Sequence, residues 1–487
     1  MYNGGSMNQG TGAANTLEVR NPRTGDVDYK FTPTTADELA LICSRAREAQ
    51  VKWEAMGLEG RIKVLKAWGE RLKARRQELL DAVCADTGRF RESEREVDLP
   101  PRWIDQWADA ARQSLASEAQ QTANPLVTSF DDYSPYPLLG VISPWNFPCA
   151  LSLMDAVPAL IAGCAVVIKP SEVTPRFIDP MMATIEECEV LRDLLVYVRG
   201  AGDVGAALID QVDMVCFTGS TQTGRKVAVR GAERFIPVFT ELGGKDPAIV
   251  LASADIERAT SAILTGSIMG AGHQCFSVER IYVVESVYEQ FVEKLVEKAK
   301  KITLNFPDIK QGDIGPLIFE PQADIILNHL QDAQGKGAEC LTGGDIEEQG
   351  GGLWCRPTVI VGVDHSMTIM VEETFGPVMP VMKVKDADEA VALANDSDYG
   401  LSACVFAGTE EEGLAVARRI DAGGISINDA GLAPHFIGDK DVAEKTAFKC
   451  SGLGGSRTGA ESIKRFVRKR ALLSNRSQQP SPWWYKV

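Results

Sequence analysis

LLGVISPW at 138–145, CAVVIKP at 164–170, LLVYV at 194–198, MVCFTGS at 214–220 and PAIVL at 247–251 decide the fold. Each is a short apolar run that stops at a proline, a glycine or a hydroxyl residue, and the stretches between them have helical texture. Strands that read as continuous apolar runs, without alternation, are buried on both faces. Their rhythm predicts an α/β architecture with a parallel sheet and crossover helices, which binds nucleotides at the carboxyl ends of its strands. Upstream, from Asp37 to Ala85, Ile62, Leu65, Trp68, Leu72, Leu79 and Val83 recur at helical spacings and predict one buried stripe. Trp103 and Trp107, one turn apart, are read as core. Downstream from Asp255 a second αβ series follows, with a helix around Glu289–Lys301 and strands in CRPTVIV and SACVFA. Two α/β domains in tandem account for the pattern.

The chain has 487 residues, enough for two sizeable cores around a deep site. A net charge of −16 argues against a nucleic-acid partner, which needs phosphate neutralisation by a basic surface. No apolar stretch is long enough to span a bilayer, so no membrane partner is expected. Eleven cysteines without CxxC pairs suggest neither a disulfide framework nor a zinc site, and fit the reducing cytoplasm. The four histidines are well separated, so no metal centre is expected. Residues 1–16, rich in Gly and Asn, read as a disordered start.

Several segments carry chemistry-bearing residues with two readings each. Gly200, Gly202 and Gly205 form a GxGxxG after an apolar run, a dinucleotide contact or a tight turn. In FTGSTQTG, Gly219, Ser220 and Thr221 stand where a strand gives way to a helix, to hold a pyrophosphate or to cap that helix. Lys169 and Glu172 in KPSE follow a strand end and address ribose hydroxyls or form a solvated turn. Cys275 in GAGHQCFSVER follows Gly270 and Gly272, which permit an unusual backbone path; it is a nucleophile or a packing residue. His273 raises a Cys/His dyad, but close neighbours in an extended segment face opposite ways, so an incidental His273 is favoured. Glu241, before Gly243 and Gly244, is a general base or a surface carboxylate beside Lys245. Asn146 in SPWNFP suits an oxyanion hole or a turn cap.

In order and separation, PWNFP at 144–148, KPSE at 169–172, FTGS at 217–220, ELGGK at 241–245, the segment ending at Cys275 and EETFGPV at 372–378 resemble the aldehyde dehydrogenase superfamily. The resemblance covers residues 17–475 and implies NAD(P)-dependent oxidation of an aldehyde to a free acid. Cys275 is then the nucleophile, Glu241 the base, and the Asn146 amide with the Cys275 N–H the oxyanion donors. It further implies cofactor contacts from Ser143, Trp145, Lys169, Ser171, Glu172, Gly202, Gly205, Gly219, Ser220, Gly224, Leu242, Glu373 and Phe375. Glu172 favours NAD because a carboxylate repels a 2′-phosphate, with NADP as the alternative. Phe147, Leu151, Met154 and Phe276 match the substrate tunnel, whose apolar character favours an aliphatic or aromatic aldehyde.

The implied fold is a Rossmann-like cofactor domain (17–118 and 137–242), a catalytic domain (243–445), and an oligomerisation arm with tail (119–136 and 462–487) that builds a homodimer or homotetramer. The aromatic cluster Trp483, Trp484 and Tyr485 is expected against a neighbouring subunit or near the substrate mouth. After Asn428 the chain runs through GLAPHFIGDKDVAEKTAFKCSG, longer and more charged than in many relatives, so the aldehyde entrance is remodelled. Succinic semialdehyde specialists often place an arginine near the Met154 position; its absence disfavours that substrate unless Lys440 or Lys449 takes its place. A CoA-acylating relative shares the nucleophile but usually lacks the glutamate. A catalytically silent binding or structural member has no need of Cys275, Glu241 and Asn146 together, and a cofactor-free hydrolase has no use for KPSE or EETFGPV.

Overall fold

In the computed structural model the apolar runs become strands, and the glycine pair Gly243–Gly244 divides them between two sheets. Residues 16–116, 119–431, 444–479 and 484–485 are described. The expectations for 1–15, Lys440, Trp483 and most of the long loop lie outside them. In the first sheet β1 (Leu138–Ile142), β2 (Ala165–Lys169), β3 (Leu195–Tyr197), β4 (Met214–Thr218) and β5 (Val238–Glu241) run parallel in the order β5-β4-β1-β2-β3. Every residue of β1, β2 and β4 is buried, which explains why their sequences do not alternate. The chain leaves β1 in one direction and reaches β4 in the other. The carboxyl ends of these two strands therefore part into a crevice, the place where such sheets bind nucleotides.

PAIVL does not continue this sheet. It becomes β6 (Asp246–Val250), the first strand of a second sheet with β7 (Val278–Val284), β8 (Thr358–Val361), β9 (Val378–Val384), β10 (Ser402–Phe406) and β11 (Gly424–Ile427). These are parallel in the order β8-β9-β7-β6-β10-β11, with Glu339–Thr342 antiparallel at the β8 edge. Separate apolar clusters cover its two faces, one including Ile326 and Leu330, the other Ile263 and Phe291.

The first sheet is covered by helices from the N-terminal segment, Ala36–Ala55, Gly57–Ala74, Arg76–Thr87 and Arg91–Ser114. Thr35 and Glu38 form a capping box at the first of them, satisfying backbone donors that the helix cannot. The whole expected stripe from Ile62 to Val83, with Trp103 and Trp107, is buried in one core. Each such Leu or Ile side chain contributes about 1.5–3 kcal/mol.

The C-terminal segment is divided differently from the expected scheme. Gly452–Leu453 pairs antiparallel with β5, and Ile463, Phe466 and Val467 join the first core. Thus the chain returns to the cofactor-side domain before the arm begins. Val467–Asn475 then pairs along its length with Val127–Pro135, which also pairs with Ala119–Gln121. Trp484 and Tyr485 are exposed. No helix among the described residues is long and apolar enough to cross a membrane.

Candidate active site

A cavity of about 1280 Å³ opens at the carboxyl ends of β1 and β4 and reaches the glycine pair between the sheets. At the nucleotide end, Lys169 closes β2, its ammonium buried and 3.1 Å from Glu172 Oε2, whose side chain is half-buried. Ser171 and Glu172 line the cavity from the turn that Pro170 starts. Gly205 and Gly202 line it from the first turn of the helix Gly202–Ile209. A Cβ on Gly202 would meet nothing within 4 Å, whereas one on Gly200 would strike Val204 at 2.2 Å. The GxGxxG thus divides into a packing glycine and two that leave room for a ligand.

Ser220 caps the helix Thr221–Glu233 by accepting from Thr223 N at 3.3 Å, and it also lines the cavity with Gly219. The cap occupies its hydroxyl, and the helix N-terminus faces the cavity. Gly224 is not among the lining residues. Its missing Cβ, which would lie 2.4 Å from the Leu242 side chain, lets the helix approach Leu242, and Leu242 lines the cavity in its stead. Ser143 Oγ at the end of β1 is buried and has no hydrogen-bond partner. An unbonded hydroxyl, open space over Gly202 and a helix N-terminus at a strand-order reversal fit a dinucleotide.

The catalytic end depends on a strained approach to β7. Gly270, Ala271 and Gly272 have φ of 61°, 60° and 74°, three left-handed residues in succession, one of them with a Cβ. A Cβ on Gly272 would lie 2.2 Å from the Gly376 carbonyl carbon, so only glycine fits there. The turn delivers Cys275 half-buried into the cavity, opposite Glu241 at the end of β5. A Cβ on Gly244 would stand 2.5 Å from the Cys275 carbonyl oxygen. The glycine pair therefore lets the strand that ends in Glu241 pass directly against the cysteine loop. Burial, and then the Glu241 carboxylate, push the Cys275 thiol up to about 12. Loss of water thus outweighs any stabilisation of the thiolate by the local backbone dipoles.

Asn146 is buried in the cavity wall and donates one Nδ2 hydrogen to the His273 carbonyl at 2.8 Å, leaving the other. His273 forms no dyad with the cysteine. Its ring is buried, both nitrogens lack partners, and it lies 5.0 Å from Trp145 and 5.8 Å from Phe375 in an aromatic group. Burial holds its pKa well below the usual value, so the ring is neutral. Trp145 and Phe375 line the cavity together with Phe319. Of the tunnel residues, Leu151 lines the cavity. Phe147 lies under the Arg89 guanidinium at 4.7 Å, Met154 packs on the first core, and Phe276 is half-buried beside Cys275.

Glu373 rests on the glycine pair, accepting from Gly244 N at 3.1 Å. Burial, reinforced by Glu279, holds its carboxyl above the usual range. Its loop is pinned by residues that sequence reasoning passed over. Lys245 Nζ and Glu279 Oε2 form a buried ion pair at 2.6 Å, and Glu279 accepts from Thr374 N at 2.7 Å and Phe375 N at 2.8 Å. Arg89, fully buried, donates to the carbonyls of Asn146 and Gly270 and so ties the amide to the cysteine turn. Glu96 accepts from Cys149 N at 2.6 Å and Ala150 N at 3.0 Å, fixing the helix that follows Asn146. Arg89 and Glu96 belong to GRFRESERE, which reads as a solvated charge run; only its register, with Ser93, Glu96 and Val97 on the inner side, marks the buried face. Lys449 donates to Asn395 O and Ser397 O and faces Asp421, so it is committed away from the entrance.

A thiol, a carboxylate and an amide at one end of a dinucleotide crevice define an oxidoreductase that works on a carbonyl carbon. Comparison with known proteins narrows this class: the aldehyde dehydrogenase family model matches residues 9–472. A Mycolicibacterium smegmatis protein provisionally named succinate-semialdehyde dehydrogenase, NADP(+), is 36% identical over 448 residues, 91% of this chain and 85% of that one. A 4,4'-diapolycopene aldehyde oxidase of Methylomonas sp is 35% identical over 453 residues, 91% of this chain and 83% of that one. Among solved structures, a provisionally assigned aldehyde dehydrogenase PutA of Anabaena variabilis superposes with a TM-score of 0.94 at 52% identity, covering 97% of this chain and 100% of that one. Staphylococcus aureus betaine aldehyde dehydrogenase in complex with NAD+ gives 0.89 at 30% identity, covering 97% and 94%. The chain belongs to the aldehyde dehydrogenase family and catalyses NAD(P)-dependent oxidation of an aldehyde to its acid.

Proposed function

We propose that Cys275 is the nucleophile, Glu241 the general base and Asn146 the oxyanion donor of a hydrolytic aldehyde dehydrogenase. The observation that carries this reading is that all three line one cavity continuous with the nucleotide crevice. The thiol, protonated at rest, gives its proton to solvent as sulfur bonds to the carbonyl carbon. The resulting alkoxide accepts the second Asn146 Nδ2 hydrogen and the Cys275 backbone N–H. A bound nicotinamide supplies the hydride acceptor that converts the thiohemiacetal to a thioester. Glu241 takes a proton from water while the oxygen adds to the thioester carbon. The C–S bond breaks, the acid leaves, and the Cys275 sulfur regains a proton.

Lys169 and Glu172 would hold the adenosine ribose, the helix start at Ser220 the pyrophosphate, and Glu373 with Phe375 the nicotinamide side. The Glu172 carboxylate favours NAD over NADP. Half-buried Phe147, Leu151, Met154 and Phe276 favour an aliphatic or aromatic aldehyde. A semialdehyde is the second reading: Lys445, from the remodelled loop, is the cation whose charge bears on Cys275, and the Mycolicibacterium relative is named for such a substrate. The arm favours a homodimer or homotetramer, and eleven unpaired thiols suit the cytoplasm.

The test is reduced-cofactor formation from NAD or NADP over a panel of aliphatic, aromatic and semialdehyde substrates, with and without CoA, for wild type and Cys275→Ala. CoA-independent turnover lost in the variant supports the reading, whereas turnover that requires CoA replaces it with the acylating reaction.

A further inference from the structure

Where the chain returns to the first sheet it carries Arg457 beneath β4, and almost none of that side chain reaches solvent. Nη1 donates to Thr218 Oγ1 at 2.7 Å, Nη2 donates to Phe217 O at 3.4 Å and stands 2.9 Å from Asp155 Oδ2. The same aspartate pairs with Arg465 Nη2 at 2.7 Å, and Arg465 Nη1 donates to Ser456 O at 2.6 Å. Two buried guanidinium groups thus share one buried carboxylate. An unmatched buried cation is costly, so the surplus charge needs a further counter-ion.

The sheet register identifies it. Thr218 and Glu241 are partners across β4 and β5, and partners in a parallel pair project from the same face. A guanidinium bonded to the Thr218 hydroxyl therefore lies on the face of the sheet from which Glu241 projects, where its charge acts on the carboxylate without a direct ion pair. Burial works against the Arg457 charge, but Asp155 and then Glu241 outweigh it, with the Cys216 and Cys275 thiols also facing it. Among the described residues nothing donates a hydrogen bond to the Glu241 carboxylate, so its side chain has no local anchor.

We infer that Arg457 is a positioning residue for hydrolysis of the thioester: held by Asp155 and Thr218, its guanidinium sets where the Glu241 carboxylate stands when water is activated. This rests on the proposed role of Glu241. Glu241 itself touches the water, and Arg457 acts only through it. Motion of an unanchored base by an ångström is enough to cost about 10²-fold in rate.

The experiment measures, in the holoenzyme, the steady-state rate and the fraction of Cys275 carrying an acyl group, by acid quench and mass spectrometry, for Arg457→Met, Arg457→Lys, Thr218→Val and Glu241→Gln. Arg457→Met is expected to lose about 30- to 100-fold in kcat with little change in KM while the acyl-enzyme accumulates. Arg457→Lys should recover most of the rate, and Thr218→Val, which loosens one anchor and keeps the charge, should fall several-fold in the same direction. If Arg457→Met misfolds, the Lys and Val variants decide alone: acyl-enzyme accumulation in Thr218→Val and its relief in Arg457→Lys support the inference. Rate loss without acyl-enzyme accumulation, or no rescue by lysine, overturns it. If Glu241→Gln accumulates acyl-enzyme and the other variants do not, the inference alone falls; if Glu241→Gln hydrolyses normally, the role of Glu241 falls and takes the inference with it.

Discussion

The two ends of the cleft are built by opposite means. The nucleotide end is open: no Cβ at Gly202, an unbonded hydroxyl at Ser143, a helix start at Ser220 that faces the cavity and a half-buried carboxylate at Glu172. The catalytic end is made of buried charge: Arg89 on the carbonyls of Asn146 and Gly270, Lys245 on Glu279, Arg457 on Asp155. A ligand that enters and leaves whole needs room and a favourable field. A reacting atom needs neighbours fixed in place, and in a region emptied of water paired charges hold backbone with the greatest stiffness.

If this contrast is sound, changes at the catalytic end should damage the protein far more than changes at the nucleotide end. The largest effect belongs to Cys275→Ala, which should lower aldehyde-dependent cofactor reduction by about 10⁴-fold or more; retained turnover would move the chemistry elsewhere. Next, Lys245→Met leaves Glu279 buried without its cation and should reduce unfolding free energy in urea by about 3–5 kcal/mol. A wild-type midpoint would mean that the pair does not hold the loop. Arg89→Met should lower kcat by about 10²-fold, through a displaced amide and cysteine turn, with KM little altered.

Smaller effects sharpen the other end. Glu172→Gln removes the charge facing a 2′-phosphate and should raise the NADP to NAD ratio of kcat/KM by about tenfold, or 1.4 kcal/mol. An unchanged ratio would place cofactor choice in other residues. The smallest step concerns pH. With the Cys275 thiol pushed up to about 12, neutral solution lies far below its titration, so thiolate grows as pH rises. Alkylation of cofactor-free enzyme should increase by about tenfold per pH unit through the neutral range without a plateau. A plateau near neutrality would show a thiolate already formed.

The same contrast explains what the sequence could tell. The strand ends, and the places of Gly202, Gly205, Ser220 and Glu172 beside them, were legible, though each residue kept two readings, because an apolar run, its terminator and the helix after it lie within a dozen residues. Cys275, Glu241 and Asn146 became legible only as parts of collinear motifs, since a lone cysteine or carboxylate has no periodic signature. Arg89, Glu279 and Arg457 were not legible. Their partners lie far along the chain, and GRFRESERE or GGSRTG looks like surface until the fold buries it. PAIVL resembled its predecessors because apolar runs do not say which sheet they join, and Gly224 resembled a cofactor glycine because proximity to Leu242 is a tertiary fact. The protonated thiol was hidden for the same reason: burial cannot be read from a hexapeptide.

The return of the chain to the first sheet also orders events in time. Thr218 waits for Arg457, and Asp155 for Arg465, across 239 and 310 residues. Contacts this distant form late, after most of the loop entropy has been spent. On the ribosome the cofactor-side domain can collapse around its helices while β5 still has a bare edge and Asp155 lacks both its cations. The site behind the nucleotide crevice is therefore finished only when the segment carrying Arg457 and Arg465 docks, and until then Asp155 stands without its cations.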